Sequence, residues 1–214
     1  MSSHTSRMVA LLGAFRRERN GLVADTMHYD GTRYGLNYGV SLVTVRQKVR
    51  ALEAERDEEF ARFLMTQQVR CLQLAALHLA DPAAWQTMDD ARRWLDALNN
   101  SELAEEAAYA LLSHATDFAA LFEQSIDHPA LYARYALLRA AARRSDVDWL
   151  WLDRALKVAC HAEHRLLNQA AVALWAHYAN SGPSQKEAVL DRLSSLGTTP
   201  TELYLKEELA WQIL

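Results

Sequence analysis

Tyr29, Arg33, Tyr34, Asn37 and Tyr38 stand within ten residues of one another, the densest set of side chains suited to recognition in the chain. Tyrosines stack on flat partners, and a carboxamide such as Asn37 hydrogen-bonds at the rim of a groove. The same residues suit packing, with Tyr34 and Tyr38 as anchors while Gly31, Gly35 and Gly39 supply turn geometry. Packing is preferred for Tyr38; for Tyr29 and Arg33 both readings stay open.

Other constellations invite chemistry less directly. Cys160, His161, Glu163 and His164 form CHAEH, with the two histidines three residues apart and so on one face of a continuous helix. The order is not HExxH and no further ligand cluster lies nearby, so helix-end histidines beside a buried cysteine are the preferred reading. Trp149 and Trp151 could offer an aromatic platform, but alternating aromatics at a helix start favour staples between stacked helices. Arg92 with Arg93, and Arg139 with Arg143 and Arg144, could form stripes towards phosphates or simply complement helix C-termini. A phosphate-cradling glycine loop, a nucleophile elbow and a cysteine-based zinc module are all missing from the sequence.

These residues must be positioned by a helical scaffold. The chain has 214 residues, half of them apolar, with few glycines and prolines, which is the composition of an all-α protein with a sizeable core. Its formal charge of −4 argues against a protein that coats nucleic acid, though not against a local basic face. Cys71 and Cys160 sit in apolar helical patterns and read as buried thiols in a reducing compartment, with the cytoplasm the default. The apolar runs are too short for a membrane span, and Met8 to Phe15 lacks a cleavage site, so it reads as the first helix.

Helical periodicity runs from Ser6 to Ala24, with Met8, Leu11, Leu12, Phe15, Leu22 and Val23 as its apolar side. Ser41 is expected to cap a helix running to about Arg56, with Val45, Val49 and Leu52 inward and Arg46, Lys48 and Arg50 outward. Further helices are expected over Glu58–Met65, Gln67–Leu79, Thr87–Leu98, Ser101–His114 and Asp117–Gln124. Another opens at Asp127 and Pro129, and others run from Ser145 or Asp146 to Cys160 and from Glu163 to Ala179. Ser184 with Glu187, and Thr199 with Glu202, have capping-box spacing. With no Pro-rich or Ser-rich linker, residues 1–214 read as a single domain.

Four small-residue helices recur: VRCLQLAALHL from Val69, LAEEAAYALL from Leu103, ARYALLRAA from Ala133 and LLNQAAVALW from Leu166. Their starts are about 30 to 34 residues apart, the period of helical-hairpin solenoids. The implied architecture is a curved stack of helix pairs whose second helices line a concave binding face.

The segment NGLVADTMHYDGTRYGLNYGVSLVTVRQKVR, through Tyr38, Gly39, Val40 and Arg46, resembles the entry region of the AlkD-like DNA alkylation repair family, in particular its Bacteroidetes-type branch. VRCLQLAALHL and RRWLDALNNSELAEEAAYALL are similar to that family's successive repeats, and the resemblance spans about Arg16 to Ala179. It implies an all-α, HEAT-like right-handed superhelix with a cationic groove for duplex DNA. It also implies a DNA glycosylase mechanism for N3- and N7-alkylated purines, in which a carboxylate and aromatic faces stabilise the oxocarbenium-like sugar and the cationic base. No cofactor is called for.

The family's catalytic pair is a tryptophan and, four positions on, an aspartate. NNSELAEE places Asn100 and Ala104 there, leaving Glu102, Glu105 or Glu106 as substitutes, with Glu102 and Glu105 the candidates for catalysis. Each residue of displacement rotates a side chain by about 100° around the helix. A second family tryptophan falls at Ala173, with Trp175 two positions on. Arg134 matches a DNA-facing arginine, and Arg33, Tyr29, Asn37 and Arg46 complete the expected nucleic-acid contacts. The expectation is therefore a DNA-binding helical-repeat protein that lacks the family's catalytic tryptophan and aspartate. The alternative is a non-catalytic scaffold that binds a protein or another ligand.

Overall fold

The computed structural model describes residues 3–29, 34–51, 56–162 and 164–213, with the side chain of Tyr29 left out. Among them are thirteen α-helices and two short 3-10 turns. The chain divides into two compact units, Met1–Thr116 and Asp117–Leu214.

In the first unit, α1 (Ser3–Arg16), α2 (Gly21–Tyr29) and α3 (Leu42–Arg50) precede a hairpin of α4 (Glu58–Met65) and α5 (Arg70–Leu79), then α6 (Met88–Asp96) and α7 (Ser101–Ala110). Helix α5 is the centre, because α3, α4, α7 and α1 all pack on it. Nine of its ten residues are buried, from Arg70 to Leu77 and Leu79. The apolar run read in the sequence is thus buried all round, and not on one stripe only.

Helix starts follow local chemistry. Ser41 accepts from Thr44 N, Asp57 from Phe60 N and Asn100 from Leu103 N, each satisfying an orphan N–H of a first turn. Thr87 and Asp90 form a reciprocal capping box. The long first helix expected over Ser6–Ala24 is instead two, because Asn20 Oδ1 accepts from Val23 N at 3.3 Å and restarts the helix. Leu22 and Val23 consequently face solvent, not the core. Leu52 lies outside the described residues.

The second unit contains α8 (Phe118–Ser125), α9 (Leu131–Ala141), α10 (Trp149–Ala162), α11 (Arg165–Ala179), α12 (Pro183–Ser195) and α13 (Pro200–Ile213). Helix α11 is its hub, packing on α9, α10, α12 and α13. Trp175 is fully buried on α11, and its indole donates to Leu152 O at 3.1 Å. The capping box at Thr199 and Glu202 forms, with reciprocal bonds of 3.1 and 3.4 Å. The one expected at Ser184 does not, since Pro183, with its fixed φ, opens α12 and places the N-cap at Gly182, two residues before Ser184. No described helix is long and apolar enough to cross a membrane.

Candidate functional site: the α5–α7 polar cluster

Glu102 and Glu106 stand one turn apart on α7 and share a face, which α7 turns towards α5. Ala104, where the resemblance puts the family's aspartate, is fully buried. Glu105 is half-buried on the same helix, about 100° around from Glu106.

Glu102 is held by three donors. Arg70 approaches it as a fork, Nε to Oε2 at 2.8 Å and Nη2 to Oε1 at 2.5 Å, and the Tyr34 hydroxyl donates to Oε2 at 2.6 Å. Arg70 is only 3% exposed, and its remaining nitrogen, Nη1, donates to Val40 O at 2.5 Å. Burial, and then the neighbouring Glu102 charge, push the Tyr34 phenol well above its ordinary range, so the hydroxyl stays a donor. Asn100 Oδ1, 3.2 Å from the same hydroxyl, also caps α7. The position that the resemblance gives to the family's first tryptophan thus holds a buried N-cap.

Glu106 forms a second node. Arg46 grips it with Nε and Nη2 at 2.9 and 2.6 Å, and His78 Nε2 meets its Oε1. Burial alone would raise this carboxyl, but the hydrogen bonds from His78 and Arg46 outweigh it and hold the group below the usual range. The Arg46 guanidinium also lies 4.4 Å from the Tyr109 ring centroid. Arg46 is thus committed to α7, where an outward side chain was expected.

The glycine-rich segment is clasped onto this cluster. Leu36 N donates to Gln68 O and Arg70 N to Leu36 O, both at 2.9 Å. A Cβ on Gly35 would lie 2.7 Å from Gln68 O, so only glycine permits the approach. Gly39, at φ +68°, sits against Asn20, whose carbonyl would be 1.8 Å from an added Cβ. Asn37 Oδ1 accepts from Gly39 N at 2.8 Å and its amide points at Met27 Sδ. Tyr38 accepts from Arg16 Nε at 3.1 Å. Arg33 and Gly31 lie outside the described residues, as does the Tyr29 side chain at the end of α2.

A carboxylate stabilises a developing cation only through uncompensated negative charge. Glu102 and Glu106 each already face a fixed guanidinium, so neither node carries that charge. Arg70 and His78, which complete the nodes, were read in the sequence as parts of an apolar helix. The available signal was their i, i+8 stripe on α5, opposite the i, i+4 carboxylates of α7.

Elsewhere, Arg134 on α9 is half-buried and its Nε has no hydrogen-bond partner. Arg92 and Arg93 pair with Asp89 and Asp90 of their own helix, and Arg144 is neutralised by Asp146 at 2.6 and 2.7 Å. Trp151 stacks on Phe122 with ring centroids 5.1 Å apart, and Trp149 packs on Trp175 and Tyr178, so both act as staples. His161 and His164 do not share a face, because the helix breaks between Ala162 and Arg165 and His164 Nδ1 caps the new start at Leu166 N. Glu163 lies outside the described residues. Burial pushes the Cys71 thiol up to about 12, which suits an inert core thiol. Ala173 lines a cavity of about 340 Å³ with Arg139, Gln169, Tyr204 and Glu208.

Neither a protein-family model nor a curated relative matches the sequence. The structure is similar to a solved one from a new family of proteins related to the HEAT-like repeat DNA glycosylases, with affinity for branched DNA structures. The TM-score is 0.71 at 15% identity, covering 98% of this chain and 95% of that one. At that identity the likeness concerns the fold: the chain has the all-α, HEAT-like repeat fold of the glycosylase-related proteins.

Proposed function

We propose that the protein is a DNA-binding member of the alkylation-repair kind of HEAT-like repeat protein, with one domain spanning residues 1–214, that has given up glycosylase chemistry. The observation that carries this reading is the capture of Glu102 by Arg70 and Tyr34, which converts the best-placed carboxylate into a structural counter-ion. The fold likeness to proteins with affinity for branched DNA supports nucleic acid as the partner. Arg134, half-buried on α9, is the arginine that the resemblance offers for a phosphate contact.

Binding of intact and branched DNA, followed by anisotropy across a salt series, tests the reading. Affinity is expected to fall steeply as salt rises, through release of counterions from the phosphates. Affinity that ignores salt would argue against a phosphate contact. Incubation with alkylated duplex is expected to release no 7-methylguanine. Release that disappears in Glu102→Gln or Glu105→Gln would restore the enzyme.

A further inference from the structure

We infer that the turn between α1 and α2 is a DNA-docking edge, with Arg17 and Arg19 on phosphates and Leu22 against an exposed base face at a branch. This rests on the nucleic-acid reading above and assigns residues that reading does not use.

The run RRERNGL places three arginines within four positions. Its single carboxylate, Glu18, is taken by Lys48 Nζ at 2.8 Å. Arg16 lies on Tyr38, whereas Arg17 and Arg19 are exposed, with Arg17 also near enough to Glu18 to help Lys48 hold its carboxyl below the usual range. Because α1 ends at Arg16 and the chain turns, with Glu18 N donating to Phe15 O at 3.0 Å, Arg17 and Arg19 lie beyond the helix on an exposed turn. Arg16, Arg17, Arg19 and Lys48 against Glu18 leave a concentrated positive charge on a chain of net −4. A polyanion satisfies such charge and gains the entropy of released counterions.

The turn is held in shape. Asn20 N donates to Tyr38 O at 2.8 Å, and Gly39 abuts Asn20 so closely that no side chain fits between them. Three residues after Arg19, Leu22 is 77% exposed on the first turn of α2. An apolar side chain beside arginines is the composition of a wedge that covers an unstacked base step, and a branch point supplies such a step without the cost of opening duplex. A membrane surface fits less well, since α2 also carries Asp25, Thr26 and His28 and offers little apolar area beyond Leu22 and Val23.

The experiment uses the full chain, anisotropy on a duplex and a three-way junction at several salt concentrations, and thermal melting to confirm folding. Arg17→Gln/Arg19→Gln is expected to weaken both DNAs about tenfold or more and to lower the salt slope by about 2. Leu22→Ser should remove only the preference for the junction, and Arg92→Gln/Arg93→Gln should change neither. Wild-type binding that the arginine pair leaves untouched overturns the docking edge while the nucleic-acid reading stands. Equal weakening of both DNAs by Leu22→Ser overturns the wedge. Failure of the wild type to bind any DNA sinks both readings, and binding to phosphatidylserine vesicles alone would assign the edge to membranes instead.

Discussion

Helix α5 of the first unit and helix α11 of the second occupy equivalent roles, each buried among several neighbours, yet they are held by different physics. On α5 the buried anchor is Arg70, matched by Glu102, with His78 two turns on against Glu106. On α11 it is Trp175, matched by Trp149 and one indole hydrogen bond to Leu152 O. Paired charge is directional and specifies which segments meet, whereas an aromatic core is stabilised chiefly by its area. The charged hub sits where the irregular segment 34–40 must be seated, and the aromatic hub joins regular helices.

Substitutions can break that contrast. Arg70→Ala leaves the half-buried Glu102 and the Val40 carbonyl unmatched and should cost ~3–5 kcal/mol, while Trp175→Ala should cost about as much through its cavity. Urea unfolding measures both. The difference emerges in Arg70→Met/Glu102→Met, expected to recover most of the loss because both charges leave together. A double variant no more stable than Arg70→Ala would show that the pair is not the unit of stability.

A more local effect comes from the seat itself. Gly39→Ala must adopt a left-handed conformation that alone costs ~1–2 kcal/mol, and its Cβ would lie 1.8 Å from the Asn20 carbonyl, so the backbone of the turn must shift as well. The loss should appear as faster hydrogen exchange in α2 and α3, leaving α11 unchanged.

Acid sharpens the comparison further. The folded Glu106 titrates below its ordinary value of 4.5, so its stabilisation is complete above that value and is lost as pH falls through the folded one. Amides of α5 and α7 should therefore lose protection in acid before those of α10 and α11, and Glu106→Gln should flatten that dependence. Simultaneous loss in both hubs would contradict the assignment. Last, Thr199→Ala should cost only ~1 kcal/mol, through the α13 cap, as a small fall in melting temperature.

Much of the scaffold was legible in local chemistry. Ser41, Thr199 and the α4 boundaries act as read, because capping and periodicity are satisfied by residues within a few positions of each other. Asn20 and Pro183 moved two helix starts for equally local reasons that competing periodicity masked. The candidate site was less legible. Glu102 was singled out as a carboxylate near the right place, but nothing within its own helix reveals that Arg70, 32 residues away, and Tyr34, 68 away, consume it.

By itself the sequence determined an all-helical repeat scaffold, its small-residue inner helices and a glycine-dependent entry segment, since each follows from propensity, spacing or backbone freedom along a short stretch. Only the tertiary structure decided what the charged residues do. Whether an arginine is a phosphate contact or a counter-ion depends on which carboxylate lies across from it, and that is a property of packed helices, not of spacing. Arg46 and Arg70 turned inward to α7, while Arg17 and Arg19 were left facing solvent.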